Sequence, residues 1–241
     1  MQNSDKVVAL NIGTNEVPMT LVLPNDPGTS YVVNEIYNAR CYPPVPGVRQ
    51  IEVIVDVGAN TGIACGYFRQ QYPDSVLFGF EPFANAFEFL KRNAETIGRC
   101  KVFPIGLYGC DTTVDFFHGA GTTVTSSVTK NSYTEAASQT RVSLEDAGRT
   151  FGRLGITKID VLKIDTEGCE VPILYSLRNN FLPNVEVVYL EFHSQLDRRL
   201  IDCLLSESHV LWACSGTEMN RGALTYVSRS SSALRRASPP L

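Results

Sequence analysis

Apolar residues fall along this chain in short β-branched runs that alternate with stretches of helical spacing. Residues 51–57 (IEVIVDV) read as a buried strand, and residues 62–71 after them keep a helical pattern. Residues 76–81 (VLFGFE) form the next strand, and residues 84–96 follow with Phe87, Leu90 and Ala94 on one helical face. Residues 100–107 are a third strand. Residues 160–165 (DVLKID) are a fourth, with a helix over 171–177, and residues 185–192 (VEVVYLEF) a fifth, with a helix over 196–205. Strands that alternate with helices pair in parallel through right-handed crossovers, which puts helices on both faces of the sheet.

Both ends depart from the alternation. Runs at 210–214 and 223–228 are joined by a turn-rich stretch, TEMNRG, with no room for a helix, so these two strands must be antiparallel. Ahead of the core, residues 7–12 and 19–24 read as a strand pair and 31–39 as a short helix. The expected organisation is an N-terminal extension over 1–50, acting as a lid or an edge, a main domain over 51–228, and a tail over 229–241. The tail, ending ALRRASPPL, is small and polar, cannot bury itself, and is expected to be disordered.

Candidate chemistry gathers where strands end. The first core strand runs into Asp56-Val57-Gly58-Ala59-Asn60-Thr61-Gly62, a turn whose glycines let backbone approach a ligand and whose following helix offers unpaired N–H groups. Asn60 stands where a dinucleotide fingerprint has its middle glycine, and asparagine tolerates left-handed backbone angles. A tight turn of any doubly wound protein would look similar. Glu81, in Phe80-Glu81-Pro82, ends the second strand, where a carboxylate can accept both ribose hydroxyls, and no arginine adjoins it to receive a 2′-phosphate. The bland alternative is a strand-end carboxylate in solvent. The fourth strand leads into Lys163-Ile164-Asp165-Thr166-Glu167-Gly168-Cys169-Glu170 and the fifth into Glu191-Phe192-His193, all at strand ends facing the same crevice. Helix capping competes as an explanation of these acids, because acids favour a helix start and Pro172 fits a first turn.

Composition narrows the classes. The 241 residues are 44% hydrophobic and 19% charged, a globular balance, with 21 Lys+Arg against 25 Asp+Glu. The tail contributes Arg229, Arg235 and Arg236 and no acid; removing these three leaves 18 basic residues against 25 acids, a net of −7 for the body. Such a body argues against a nucleic-acid partner. Seven cysteines without a C-x-x-C pair read as reduced thiols, and neither a signal sequence nor a long apolar span is visible, so the expectation is a cytoplasmic protein with no membrane partner.

VDVGANTG, GFEP, VSLED, IDVLKIDTEGCE and LEFH, in that order, resemble the FkbM family of S-adenosylmethionine-dependent methyltransferases, and Asn34-Glu35-Ile36-Tyr37 with Tyr42 resembles that family's upstream segment. The fold implied is α/β: a class I methyltransferase, Rossmann-like, with a seven-stranded, mostly parallel sheet that closes on an antiparallel hairpin. The activity implied is O-methylation of a small-molecule hydroxyl on a sugar or natural-product skeleton. On that resemblance Asp56, Gly58, Asn60 and Gly62 would hold the methionine part of S-adenosylmethionine, Glu81 with Pro82 its ribose, and Gly106 and Leu107 would border the adenine. Residues 118–140 match nothing nameable and leave the acceptor open.

A hydroxyl acceptor needs its proton removed as it attacks. His193 is the expected base, since an unperturbed histidine titrates near 6.5, with Asp165 or Glu167 next, because close carboxylates raise one another's pKa. The same acids with His193 or Glu191 could instead hold a hard cation such as magnesium; no metal ligand is assigned, and a divalent metal is not favoured. The chain lacks a Tyr-x-x-x-Lys pair and a G-x-x-x-x-G-K-[ST] run, which excludes a short-chain dehydrogenase and a P-loop hydrolase. An NAD-binding oxidoreductase and a non-catalytic S-adenosylmethionine-binding protein remain as alternatives.

Overall fold

The computed structural model describes residues 7–14, 17–48, 50–118, 126–127 and 138–237. Seven strands form the central sheet: β3 (Val53–Val57), β4 (Val76–Phe80), β5 (Cys100–Phe103), β10 (Val161–Ile164), β11 (Val187–Phe192), β12 (His209–Glu218) and β13 (Arg221–Ser228), in the order β12-β13-β11-β10-β3-β4-β5. β11, β10, β3, β4 and β5 pair in parallel, while β13 runs antiparallel to both β11 and β12. Inserting β13 between β11 and the edge closes the sheet with the expected hairpin, the arrangement of class I methyltransferases. The hairpin turn is tighter than expected: pairing continues to Glu218↔Arg221, across two register shifts.

Successive side chains of a strand point to opposite faces, so each buried strand feeds two cores. In β3, Ile54 packs into one and Val55 and Val57 into the other; in β10, Val161 and Leu162 divide the same way. One face is covered by α2 (Ile63–Gln71) and α3 (Ala84–Ile97), and the opposite face by α4 (Ala147–Arg153), α5 (Glu170–Leu177) and α6 (Gln195–Leu205). No helix among the described residues is long and apolar enough to cross a membrane.

Three departures from the sequence reading matter. The single strand expected over 100–107 is broken at Pro104: β5 stays in the main sheet, whereas β6 (Gly106–Tyr108) leaves it to pair with β9 (Ser138–Asp146). Proline lacks the N–H a ladder needs, which ends the pairing there. β6 and β9 with β7 (Thr112–His118) and β8 (Ser126–Ser127) make a separate four-stranded sheet, ordered β6-β9-β7-β8, beside the crevice. Much of the unmatched stretch, 119–125 and 128–137, lies outside the described residues.

The N-terminal extension is built in. β1 (Val7–Thr14) and β2 (Val17–Pro24) form an antiparallel pair, and Asn93 of α3 bonds to both Val22 N (2.8 Å) and Val22 O (3.0 Å). α1 (Pro27–Val33) continues into a π-helical turn over Asn34–Asn38 and passes above the ends of β3 and β4. Tyr42 then stacks among Phe68 and Tyr189, with ring centroids 6.0 and 5.5 Å away.

The tail, expected to be disordered from residue 229, is ordered through 237. Ser231 is buried and donates to Glu186, Ala233 packs against Gly47, and α7 (Ser232–Ala237) follows. A small residue can occupy a shallow surface site that no hydrophobicity pattern announces. Residues 238–241 lie outside the described part.

Candidate active site

The turn between β3 and α2 has the backbone that the sequence predicts. Gly58, Asn60 and Gly62 all have positive φ, at 78°, 48° and 90°, and the N–H groups of Gly58 and Ala59 both bond to Phe80 O, at 3.0 and 2.9 Å. A side chain at Gly58 is impossible, since its Cβ would lie 1.8 Å from Asp165 O. This contact draws the ends of β3 and β10 together and sets the floor of one open cavity, enclosing about 980 Å³ with its solvent-facing space included. Gly58, Ala59, Asn60 and Thr61 line it; Gly62 does not, because it faces α3, with Leu90 3.1 Å from where a Cβ would stand.

Glu81 sits at the end of β4, on the cavity wall and almost wholly buried. One carboxylate oxygen accepts Asn60 N and the other Phe83 N, each at 2.9 Å. Burial raises its pKa to about 7, against the lowering effect of the two N–H groups and Lys163. Two bonded N–H groups fix the carboxylate and leave further lone pairs free to accept ribose hydroxyls. Pro82, Ile105, Gly106, Leu107, Phe116 and Leu144 supply an apolar wall beside it. Leu107, Phe116 and Leu144 come from the second sheet, so the break at Pro104 is what turns Gly106 and Leu107 into lining residues. A carboxylate beside an apolar slot fits a nucleoside with an unphosphorylated ribose.

Asp56 does not reach the cavity. It is fully buried opposite Lys163, its register partner on β10, whose Nζ lies 2.9 Å from Asp56 Oδ1 and donates to Gly58 O at 2.7 Å. A buried charge must be paired to be tolerated, and here the pair ties β10 to the glycine turn. Lys163 Nζ is also 3.6 Å from Asp165 Oδ2, which accepts from Tyr42 Oη at 3.3 Å.

Asp165, Thr166 and Glu167 line the cavity beyond Lys163. Glu167 has φ 58°, a left-handed conformation unusual for a residue with a side chain, and such strain concentrates at functional sites. Burial drives its pKa up to about 7, with Asp165 and Glu170 adding to the rise and His193 and Arg221 opposing it. Arg221 Nη2 lies 3.3 Å from Glu167 and 3.8 Å from Glu191. Glu191 is buried, and burial with Asp165, Glu35 and Glu167 nearby raises its pKa well above the ordinary range.

His193, the expected base, stands among carboxylates. Its Nδ1 is 3.6 Å from Glu167 and its Nε2 3.5 Å from Glu170. Burial alone would lower its pKa, but Glu170, Glu167 and Glu191 outweigh that and raise it to about 10. Such a rise favours the protonated imidazole, a form that accepts no further proton, and His193 is not among the residues lining the cavity. Glu167 and Glu170 come from a different strand end, a proximity the sequence does not reveal. Glu170 ties down the loop ahead of α5: its carboxylate accepts Thr166 N at 2.8 Å and Gly168 N at 3.0 Å, while the helix itself has no side-chain cap. Asp165, Glu170 and His193 bring one potential ligand atom each within 4.8 Å of one another. Glu170 is committed to backbone and His193 to a proton, so this trio is poorly prepared for a metal ion.

Thr29, Val32, Ile36 and Tyr42, all from the N-terminal extension, line the same cavity and were not assigned from the sequence. Lys163 had a legible signal, a lone cation in a run of apolar strand residues, which demands a buried partner. Arg221 had none, since an arginine in a hairpin is ordinarily a solvated one.

Comparisons with known proteins bear on family and fold. A family model described as the methyltransferase FkbM domain matches residues 56–209. The chain is 27% identical over 175 residues to methyltransferase sdnD of Sordaria araneosa, covering 60% of this chain and 67% of that one. Its fold is similar to the crystal structure of methyltransferase FkbM from Methylobacillus flagellatus, with a TM-score of 0.53 at 13% identity over 80% of this chain; it spans 47% of that chain. A Methanococcus jannaschii fibrillarin pre-rRNA processing protein shares the fold at the same TM-score of 0.53, with 9% identity over 95% of this chain and 86% of that one.

Proposed function

This chain belongs to the FkbM methyltransferase family, and from that premise we propose that it transfers a methyl group from S-adenosylmethionine to a hydroxyl of a small molecule, a sugar or a natural-product skeleton. The observation that carries the reading is that Glu81 and Glu167 wall one cavity, each with a pKa near 7. One suits ribose hydroxyls and the other suits the proton of an attacking alcohol. The cofactor would supply a methyl group on a sulfonium, whose methyl–sulfur bond breaks in line as the acceptor oxygen takes the carbon, leaving S-adenosylhomocysteine as the thioether product.

In this reading, Glu81 accepts the two ribose hydroxyls, Asn60 and Gly58 carry the amino-acid end past the turn, and the apolar wall of Gly106, Leu107 and Phe116 borders the base. Asp56 holds Lys163, and Lys163 holds the turn. Glu167 takes the acceptor's hydroxyl proton as the oxygen bonds to the methyl carbon, because a base whose pKa lies near the working pH combines availability with basicity. Asp165 orients the acceptor alongside Tyr42. His193 and Arg221 keep Glu167 from rising further, which makes them positioning residues. No step requires a metal. An acceptor rich in phosphate is disfavoured by Asp165, Glu167 and Glu191 at the crevice and by the acidic body of the chain.

Calorimetry with S-adenosylmethionine, S-adenosylhomocysteine and NAD in parallel tests the reading. Both sulfur ligands should bind and NAD should not. Binding of NAD alone would sink it in favour of an oxidoreductase, and cofactor binding with no methyl transfer to any hydroxylated acceptor would leave a binding protein.

A further inference from the structure

The hydroxyl of Thr29 is out of keeping with its surroundings. Thr29 is 3% exposed, and its Oγ1 has no hydrogen-bond partner among the described residues. Its backbone is accounted for, since the Asp26 carboxylate caps α1 by accepting Thr29 N at 2.8 Å. Along α1 and the turn after it, Thr29, Val32 and Ile36 face the cavity, and Thr29 is the polar member of that stripe. A buried hydroxyl left unpaired costs stability, so one that lines a cavity points to a ligand atom.

The start of α2 lines the same cavity. Its N-cap is Gly62, which offers no side-chain bond, and the first helical hydrogen bond runs from Gly66 N to Gly62 O at 2.9 Å. The N–H groups of Ile63, Ala64 and Cys65 therefore precede the helical ladder, and Ile63 and Ala64 line the cavity. A helix N-terminus favours a negative group. An unpaired hydroxyl and an uncapped helix start, in one cavity and both able to donate, call for an anion with more than one acceptor oxygen.

We propose that Thr29 and the N-terminus of α2 clamp the α-carboxylate at the amino-acid end of the cofactor, making the N-terminal extension part of the cofactor site. The proposal rests on the S-adenosylmethionine reading above, and Thr29 lies outside the family match over residues 56–209. The clamp completes a line across the cavity: base against the second sheet, ribose on Glu81, carboxylate under α1.

The test is calorimetry of the full chain and of Thr29→Val and Thr29→Ser with two thioethers. S-Adenosylhomocysteine has the carboxylate; 5′-methylthioadenosine has the same nucleoside without the amino-acid end. Thr29→Val should weaken the first by about 10- to 100-fold, the loss expected for a hydrogen bond to a charged group, and leave the second within about twofold. Thr29→Ser should bind both like the parent. The valine variant should melt no lower than the parent, because it removes an unpaired buried hydroxyl. Equal weakening of both ligands, or of neither, overturns the clamp while the cofactor reading stands. A parent that binds neither thioether overturns the cofactor reading and the clamp with it.

Discussion

The two halves of the crevice are built from similar residues and held in different ways. At the ends of β3 and β4 the polar groups are locked: Asp56 and Lys163 pair at 2.9 Å in full burial, and Glu81 is pinned by two backbone N–H groups. At the ends of β10 and β11 Glu167 faces His193 and Arg221, and Glu191 faces Arg221, at 3.3–3.8 Å, loose distances for charge pairs. Tight bonding preorganises a binding surface. Loose, crowded charge leaves protonation adjustable, because each group's pKa depends on its neighbours. In the proposed reading, the difference separates holding from reacting.

The comparison can be broken most forcefully at Lys163. Lys163→Met leaves Asp56 buried without its cation and should cost about 3–5 kcal/mol of stability in urea unfolding, and Asp56→Leu with Lys163→Met should recover part of it. Equal stability of the single variant and the parent would show that the pair is not what locks this half. Glu167→Gln should lower kcat by about 10²- to 10⁴-fold with cofactor affinity kept, as the loss of a general base does. If turnover survives, the loose half is not where the proton goes.

Glu81→Ala should weaken S-adenosylhomocysteine about 100-fold by calorimetry, since two hydrogen bonds to a carboxylate are lost. In the parent, cofactor affinity should fall about tenfold per pH unit below 7, because protonation replaces an acceptor with a donor. A flat profile between pH 5 and 8 would contradict this. The smallest effect is expected at His193. Its positive charge lowers the pKa of Glu167, so His193→Gln should move the acid limb of the kcat profile to higher pH and leave the plateau near that of the parent. Loss of the plateau instead would return the histidine to the role of base.

The central sheet was legible because its strands are buried on both faces, and buried strands have to be written as continuous apolar runs. The glycine turn was legible for a related reason: φ of 78° and 48° admits few residues, and Gly58 and Asn60 are two that fit. The second sheet was not. Its strand β9 (SQTRVSLED) faces solvent on one side and pairs with segments far along the chain, so nothing local distinguishes it from a loop. The roles within the acidic cluster were illegible in the same way. Glu170 ties down a loop, His193 sits among carboxylates and Glu167 lines the cavity, yet all three belong to short polar stretches with similar composition.

The sequence by itself determined the alternating sheet, the turn, the closing hairpin and the identity of the acids at the strand ends, because backbone geometry and the burial of apolar strands leave a local record. Only the tertiary structure decided that Asp56 pairs with Lys163 away from the cavity, that the tail packs through residue 237, that Thr29 reaches the cavity, and which acids line it. Protonation and access depend on distances between groups remote in the chain, and a chain of residues does not encode those distances locally.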